Sequence, residues 1–164
     1  MEGKQMELFQ VSKYLDVEHT IAKYMFDPVE NPWEVLPSIS IFIEQLGPML
    51  PSEEFEQRGS NVWISKSAVI APTAYIGGPC IIDAGTEVRH CAFIRGSAII
   101  GKNCVIGNST EVKNSIIFDE VQIPHYNYVG DSILGFRSHL GAGAITSNVK
   151  NDKSNVEVNF ALGK

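Results

Sequence analysis

The first fifty residues carry apolar side chains at helical intervals. Within 6–50, an apolar stripe at steps of three and four residues predicts a first helix, formed by Tyr14, Val17, Ile21 and Met25. This helix should end at the Asp-Pro pair at 27–28, because the residue before a proline disfavours the helical conformation.

A second helix is predicted to follow directly. Asn31 offers an N-cap, and Pro32 suits the first helical position, where its missing N–H would be unpaired in any case. Pro37 is expected to kink or restart the helix, which ends at the Gly-Pro pair at 47–48. Its apolar face comprises Val35, Ile39, Phe42, Ile43 and Leu46. We expect the two helices to cap the first coil of the domain that follows and to hide its open strand edge, with 51–60 as a connector.

From residue 61 onward the apolar spacing changes to six. Nine consecutive sixth positions hold Ile or Val, namely Ile64, Ile70, Ile76, Ile82, Val88, Ile94, Ile100, Ile106 and Val112. Two residues before each stands a second series, in which eight of nine members are Ala, Cys or Thr: Val62, Ala68, Ala74, Cys80, Thr86, Ala92, Ala98, Cys104 and Thr110. Neither the helical period nor strand alternation produces this double register, whereas a hexapeptide solenoid does.

The spacing also predicts the geometry of the solenoid. Each six-residue unit forms a short strand and a corner, so three units close a triangular coil of eighteen residues, and coils stack about 4.8 Å apart. The Ile or Val of each unit points into the coil, and the small residue two positions earlier also points inward near a corner. Cys80 and Cys104, which belong to the second series, are therefore predicted to be core residues. The register slips near Ile116, resumes at Ile123 and Val129, and slips again before Leu134, which predicts bulges or protruding loops. We therefore predict an all-β solenoid, a left-handed parallel β-helix of about five triangular coils. Its hand is taken from known hexapeptide solenoids, because the usual crossover rule favours the opposite one.

These patterns divide the chain into three parts. Residues 1–60 form an N-terminal helical cap and connector, 61–150 form the β-helix, and 151–164 form a C-terminal loop or tail.

Composition narrows the function classes. Thirteen Lys and Arg against nineteen Asp and Glu give a net charge of −6, which argues against broad binding to nucleic acid. No apolar run approaches the roughly 20 residues of a membrane helix, and the start lacks the hydrophobic stretch of a signal peptide. Three cysteines cannot all pair, and no CxxC spacing occurs, so reduced thiols in a cytoplasm are the simplest interpretation.

Arg95 and Lys113 form a candidate anion site. They lie eighteen residues apart, each directly after an inward residue, so they should stack along one outer edge about 5 Å apart. Two stacked cations near a surface repel by about 1 kcal/mol or more, and a bound phosphate would relieve this repulsion. The alternative is a solvated edge with neighbouring acids such as Glu87 or Glu111. The spacing leaves both interpretations open.

His125 is a candidate general base. It falls in an outward register within the slipped stretch, and an imidazole titrates near neutral pH. The alternative is a histidine in a surface loop. His90 and His139 also face outward, and the three are separated by 35 and 14 residues. The zinc-binding carbonic anhydrases among hexapeptide solenoids need a close histidine pair in one coil, so we predict no metal site.

Two sequence blocks carry a more specific resemblance. The pattern H-x-x-Y-x-G-D at 125–131, followed by G-A-G-x-I-T-x-N at 141–148, resembles the C-terminal half of the bacterial UDP-N-acetylglucosamine pyrophosphorylase/glucosamine-1-phosphate N-acetyltransferase family. The resemblance covers about 62–150. It implies a homotrimer that transfers the acetyl group of acetyl-CoA to the amine of glucosamine-1-phosphate. No glycine-rich nucleotide-binding loop precedes the solenoid, so we expect no pyrophosphorylase half.

The resemblance also implies roles for individual substrate-side residues. His125 matches the general base, and Arg95 and Lys113 match the cations that hold the sugar phosphate. Tyr128 matches a tyrosine that contacts the sugar phosphate. His139 stands where the family has an asparagine that contacts the sugar.

On the coenzyme side, the resemblance implies two contacts. Ala142 matches the position whose backbone amide faces the thioester oxygen, and Asn148 matches a residue near the coenzyme. The family continues for several coils beyond the position of Lys164, and those coils complete its coenzyme site. A truncated chain and a shortened relative are both compatible with this difference.

Together, these observations favour an acetyltransferase that acts on an amino-sugar phosphate with acetyl-CoA as donor and without a metal. We expect a cytoplasmic homotrimer with neither nucleic acid nor membrane as a partner. The alternative is a non-catalytic module that binds a sugar phosphate or nucleotide sugar, or that serves in assembly.

Overall fold

A helical segment precedes a parallel β-solenoid in this chain, as the sequence predicts. The computed structural model describes residues 9–146, 150–152 and 154. The helical segment contains the α-helices α1 (Val11–Tyr14) and α2 (Ile39–Leu46), and 3₁₀ helices at Val17–His19, Lys23–Met25, Pro32–Ser38 and Gly47–Met49. Within the described residues, no helix is both long and apolar enough to cross a membrane.

The solenoid is a stack of about five triangular coils built from short strands. In chain order the strands are β1 (Phe55–Gly59), β2 (Val62–Ser65), β3 (Val69–Ile70), β4 (Tyr75–Ile76), β5 (Cys80–Ile82), β6 (Glu87–Val88), β7 (Phe93–Ile94), β8 (Ala98–Ile100), β9 (Val105–Asn108), β10 (Glu111–Lys113), β11 (Ser115–Ile117), β12 (Gln122–His125), β13 (Tyr128–Gly130), β14 (Ile133–Leu134) and β15 (Ile145–Thr146).

Three sheets form the three faces of the prism. The first face consists of β2, β5, β8, β11 and β14, with β1 at its edge. The second face consists of β3, β6, β9 and β12, and the third of β4, β7, β10, β13 and β15. Pairing within each face is parallel, apart from the antiparallel pair of β1 and β2. This arrangement confirms the predicted solenoid.

The register slip has a simple structural cause. Paired residues in successive coils lie eighteen positions apart up to Ile94 and Val112, and seventeen apart from Ala98 and Ser115 onward. The missing residue falls at the corner that follows Val112, between the third and first faces. The expectation of bulges or protruding loops is therefore wrong for the described coils, which tighten by one residue instead.

The interior is filled by the two inward series that the repeat predicts. Ile82, Ile94 and Ile106 are completely buried, and burial of one such side chain stabilises the fold by roughly 1.5–3 kcal/mol. Cys80 and Cys104 fill small slots, and burial raises the pKa of each thiol to about 12. These two cysteines are therefore core residues, as expected.

The helical segment covers the outward side of the first face. Ile81, Ile99 and Ile116 stand between inward residues yet are completely buried, because α2 and its neighbours pack over this sheet, with α2 on β5 and β8. The Phe26 ring meets the edge of the Phe118 ring at a centroid distance of 5.8 Å. The helices thus cover a side of the solenoid, and the expectation that they cap its first coil is wrong.

The open edge of the first face is covered by the connector. Phe55 lies opposite Ser65 where β1 pairs with β2, so a strand hides this edge and not a helix. Gly47, at the end of α2, is buried against the indole of Trp63, and a Cβ atom there would overlap the ring. This close contact holds the helical segment against the sheet.

The first predicted helix is shorter than its apolar stripe suggested. It begins as the single turn of α1 and continues as separate 3₁₀ turns, because side chains bond the backbone locally. The Asp16 carboxylate accepts from the Glu18 N–H at 3.3 Å, and the Thr20 hydroxyl accepts from the Ala22 N–H at 3.2 Å. Pro37, by contrast, lies in a 3₁₀ helix directly before α2, so the predicted restart is confirmed.

Candidate functional site

The third face presents uncovered side chains. Its outward column runs in register through Tyr75, Phe93, Glu111, Tyr128 and Ile145. Tyr75 and Ile145 are 63% and 67% exposed, and the Phe93 ring packs edge-on against Tyr75 at 5.4 Å. This face, unlike the first, is open to a ligand or a partner.

Arg95 and Lys113 stack along the edge where the third face meets the first. The preceding residues Ile94 and Val112 are paired in register, so the two cations occupy equivalent positions in successive coils. Lys113 pairs with Gly130 in the next coil. A glycine above this column leaves room for the Tyr128 phenol, which a Cβ atom at this position would overlap.

Each of these cations has a carboxylate partner. Arg95 donates from Nη1 to Glu111 Oε1 at 2.7 Å, and Lys113 donates from Nζ to Asp131 Oδ2 at 3.4 Å. The hydrogen bond to Glu111 raises the pKa of Arg95, and the Tyr128 phenol adds a smaller contribution in the same direction. Since Glu111 belongs to the outward column, the guanidinium lies over the third face and does not point away from it.

These contacts support the solvated-edge interpretation only in part. Glu111 is a neighbouring acid, as the solvated-edge alternative proposed, whereas Glu87 pairs with Arg89 at 3.0 Å instead. Sequence reasoning missed Asp131. The coil here has seventeen residues, so Gly130 pairs with Lys113, and Asp131 follows it and donates its N–H to the Lys113 carbonyl at 3.1 Å. The two cations therefore do not stand alone, and an incoming anion competes with two carboxylates.

Tyr128 leans toward the cations. Its ring lies over Gly130, where a Cβ atom would collide with the phenol. This places the tyrosine between the middle of the third face and the edge of Arg95 and Lys113. Three of the predicted substrate-side residues thus share one region.

His125 lies at the opposite edge of the same face. It ends β12 and is exposed, at the corner between the second and third faces. Gly130 lies five positions further along the chain, so the two backbones are at most about 18 Å apart. Among the described residues its imidazole has no hydrogen-bond partner, and its backbone N–H donates to Asn127 Oδ1 at 3.1 Å. The imidazole and the cations therefore flank the third face and do not meet at one corner.

Ala142 stands directly above His125. The Gly143 N–H donates to the His125 carbonyl at 3.1 Å, which sets the two corners in register. Gly143 has a φ of +74°, a conformation that favours glycine. Within the described part of the chain the Ala142 N–H donates to no acceptor, so it is available to an oxygen of a ligand.

The remaining predicted contacts lie elsewhere. His139 forms an isolated bridge with Gln122 and is exposed on the second face, beside the His125 corner and away from the cations. Asn148 lies outside the described residues. In the described residues no group of three or more His, Cys, Asp or Glu side chains could hold a metal ion. A cavity of about 900 Å³ lies in the helical segment, lined by residues of 10–17 and 26–30, and is not part of this site.

Comparison with known proteins places this architecture in a family. Residues 76–162, more than half of the chain, match the family model described as the GMPPB C-terminal domain. The chain is 38% identical over 157 residues to the bifunctional protein GlmU of Methanococcus maripaludis strain C5, covering 94% of this chain and 37% of that protein. It is 35% identical over 165 residues to the bifunctional protein GlmU of Methanocaldococcus jannaschii, covering 97% of this chain and 40% of that protein.

A third match covers a smaller share of the chain. The bifunctional protein GlmU of Desulfitobacterium hafniense strain DCB-2 is 33% identical over 128 residues, which cover 66% of this chain and 28% of that protein. The chain spans about two fifths or less of each of these relatives. On the repeat, the solenoid and these matches, the chain belongs to the GMPPB C-terminal domain family, and its solenoid is a hexapeptide-repeat domain that is similar to part of the GlmU proteins.

Proposed function

We propose that this protein transfers an acetyl group from acetyl-CoA to the amine of an amino-sugar phosphate such as glucosamine-1-phosphate. The observation that carries the proposal is the third face, with Arg95, Lys113 and Tyr128 toward one edge and His125 below the Ala142 amide at the other. Arg95 and Lys113 suit a phosphate, and His125 with the Ala142 amide suits proton transfer and an oxyanion. Because the amine and the phosphate of glucosamine-1-phosphate stand on adjacent carbons, the sugar would lie over the middle of the face, where the Arg95 guanidinium already reaches Glu111.

At the edge that carries Arg95 and Lys113, the substrate phosphate binds by replacing the carboxylates that pair with these two cations. Arg95 and Lys113 release Glu111 and Asp131 and donate charge-assisted hydrogen bonds to the phosphate oxygens. Exposed ion pairs of this kind are each worth about 0–1 kcal/mol, so their loss costs little compared with a bound dianion. Tyr128, which leans toward the same edge, offers a hydroxyl to the sugar phosphate.

The other end performs the chemistry. Neutral His125 accepts the proton of the sugar amine as the amine nitrogen bonds to the thioester carbonyl carbon. The Ala142 N–H steadies the negative oxygen that forms there. When the carbon–sulfur bond breaks, the proton held by His125 passes to the coenzyme thiolate. No metal ion is needed in this sequence of steps.

The proposed assembly is a homotrimer. Tyr75, Phe93 and Ile145 leave exposed apolar side chains on the third face, on both sides of Glu111 and Tyr128 in the outward column. Such exposed apolar side chains support burial against a second copy of the chain. We place the protein in the cytoplasm, where Cys80, Cys91 and Cys104 would remain the free thiols that the structure contains.

A second candidate function has an observation of its own. The two cations carry carboxylate partners, and the His125 imidazole has no orienting hydrogen bond among the described residues. These features favour a non-catalytic module that binds a sugar phosphate or nucleotide sugar. Acetyl transfer by the isolated chain separates the two candidates.

The test is calorimetric titration with glucosamine-1-phosphate and acetyl-CoA, separately and together, followed by measurement of acetyl transfer. We expect both ligands to bind, and His125→Ala to abolish transfer while the Kd for the sugar phosphate changes less than about twofold. His90→Ala is the matched control, because His90 lies on the same corner two coils below. If His125→Ala lost sugar-phosphate binding as well as acetyl transfer, His125 would be a binding or structural residue.

A further inference from the structure

Asn127 departs from the repeat at the corner that carries His125. It occupies the inward position that Ala74, Ala92 and Thr110 fill in the coils below. The side chain is 3% exposed, and a buried amide is unfavourable unless its polar atoms are paired. The equivalent positions in the other coils hold small residues, so we expect the buried Asn127 amide to make specific hydrogen bonds.

The Asn127 amide makes three hydrogen bonds across two coils. Its Oδ1 accepts from the His125 N–H at 3.1 Å, within its own corner. Its Nδ2 donates to the Gly141 carbonyl at 2.7 Å and to the Ala144 carbonyl at 3.3 Å. The last two carbonyls are the two ends of the corner 141–144 in the next coil, so one side chain ties the two corners together.

The tied corners hold the two groups that the proposed reaction needs. His125 lies on the lower corner, and Ala142, whose N–H has no acceptor among the described residues, lies on the upper one. Two backbone bonds also join the coils here, from the Gly143 N–H to the His125 carbonyl at 3.1 Å and from the Tyr128 N–H to the Ala144 carbonyl at 3.2 Å. The corner 141–144 is largely exposed, so little side-chain packing restrains it.

We propose that Asn127 is a positioning residue that holds the Ala142 N–H above the His125 imidazole. This inference rests on the proposed function for its catalytic consequence and on the hydrogen bonds for its mechanical part. Misplacement of a catalytic group by about 1 Å can lower a rate about 100-fold. The substrate phosphate is held at the opposite edge of the third face, so its binding does not depend on this corner.

The experiment uses two substitutions that break different bonds. Asn127→Ala removes all three hydrogen bonds, whereas Asn127→Asp keeps the acceptor for the His125 N–H and loses the donor to 141 and 144. We expect both variants to lower kcat for acetyl transfer about 100-fold, with the KM for glucosamine-1-phosphate within about twofold. Amide hydrogen exchange, followed by mass spectrometry, should accelerate over 141–146 in both variants.

The matched control is Thr86→Ala. The Thr86 hydroxyl is fully buried, donates to the Gly101 carbonyl at 2.6 Å and accepts from the Cys104 N–H at 2.9 Å, so it also links two coils, at a distant corner. This variant should lower the Tm while kcat stays within about twofold. A loss of kcat in Thr86→Ala as large as in Asn127→Ala would overturn the inference, because any weakened coil would then suffice.

Amide hydrogen exchange distinguishes failure of the positioning role of Asn127 from failure of the proposed function. If the wild-type chain does not transfer acetyl, the proposed function fails. Faster exchange confined to 141–146 in Asn127→Asp would then still support the positioning role of Asn127. Unchanged exchange there, or unchanged kcat in an active enzyme, would show that Asn127 does not hold the corner.

Discussion

The first and third faces of the solenoid use the same repeat but have opposite surroundings. On the first face the outward column contains Ile81, Ile99 and Ile116, all buried under the helical segment. On the third face the corresponding positions include Phe93 and Tyr128, which are open to solvent or half-buried. The inward residues build the same scaffold in both cases, whereas the outward residues decide whether a face is covered by the chain itself or left free.

This difference separates stability from function within one coil. The covered face gains hydrophobic burial on both sides of the sheet and should dominate the free energy of unfolding. The uncovered face gives up that burial and keeps side chains available for a ligand. The predictions below test this division, beginning with the largest expected effect.

Ile99→Ala on the first face should lower the free energy of unfolding by about 2–5 kcal/mol, because it leaves a cavity between the sheet and α2. Phe93→Ala on the third face should lower it by about 1 kcal/mol or less. Urea unfolding of both variants provides the measurement. Equal losses would mean that the two faces do not differ in their contribution to stability.

Gly47→Ala should displace the helical segment from the first face. The added methyl group overlaps the Trp63 indole, and such overpacking typically costs about 1–3 kcal/mol. The Trp63 fluorescence spectrum should shift as its surroundings change. Gly59→Ala is the control, since its Cβ meets Val62 at an ordinary 3.6 Å; an equal effect at both sites would contradict a tight seat at Gly47.

Replacing both Arg95 and Lys113 with Ala should weaken glucosamine-1-phosphate roughly 10- to 100-fold, because charge-assisted hydrogen bonds to the phosphate are lost. Unphosphorylated glucosamine should bind as it does to the wild type, as measured by calorimetry. Arg89→Ala is the control, since this cation pairs with Glu87 outside the third face. If the unphosphorylated sugar loses affinity equally, the assignment of a phosphate to this edge fails.

Asp83 gives the smallest expected effect, at the covered corner between the first and second faces. Burial is the main cause that raises the pKa of this carboxyl above its ordinary value near 4. The native state therefore binds more protons than the unfolded state between those two pKa values, so stability falls as pH rises through that window. Asp83→Asn keeps an acceptor for the Ala84 N–H, which lies at 2.7 Å. It should raise the free energy of unfolding at pH 7.5 and leave it nearly unchanged at pH 3; a lower value at pH 7.5 would contradict the burial cost.

The sequence predicted the solenoid well because its information is local and repeated. An inward isoleucine or valine recurs in nine consecutive units, with a small residue two positions earlier in eight of them, and each unit packs on its neighbours in the same way. The first helix was predicted at too great a length, because a regular apolar stripe carries no sign that Asp16 and Thr20 bond the backbone locally. The slip near Ile116 was visible, yet a shortened corner and a bulge look alike in one dimension.

The sequence predicted where the candidate site lies, but not which side chains pair with its cations. Stacking of Arg95 on Lys113 follows from the eighteen-residue coil. The next coil has seventeen residues, so Gly130 and not Asp131 stands above Lys113. Which acid pairs with which cation depends on the reach and direction of long side chains, which spacing does not specify. The use of Asn127 as a link between two corners likewise needs carbonyls that the coil geometry brings within hydrogen-bond distance.

The amino-acid sequence alone determined the repeat length, the inward residues and the vertical order of distant side chains, because these depend on contacts that every coil makes with the next. Only the tertiary structure decided that the helical segment lies on the first face, that Glu111 and Asp131 accompany the cations, and that His125 faces them from the opposite edge. These features depend on packing between segments far apart in the chain and on side-chain directions. A short-period repeat determines the position of each residue in the solenoid. The contacts of that residue depend also on segments outside the repeat.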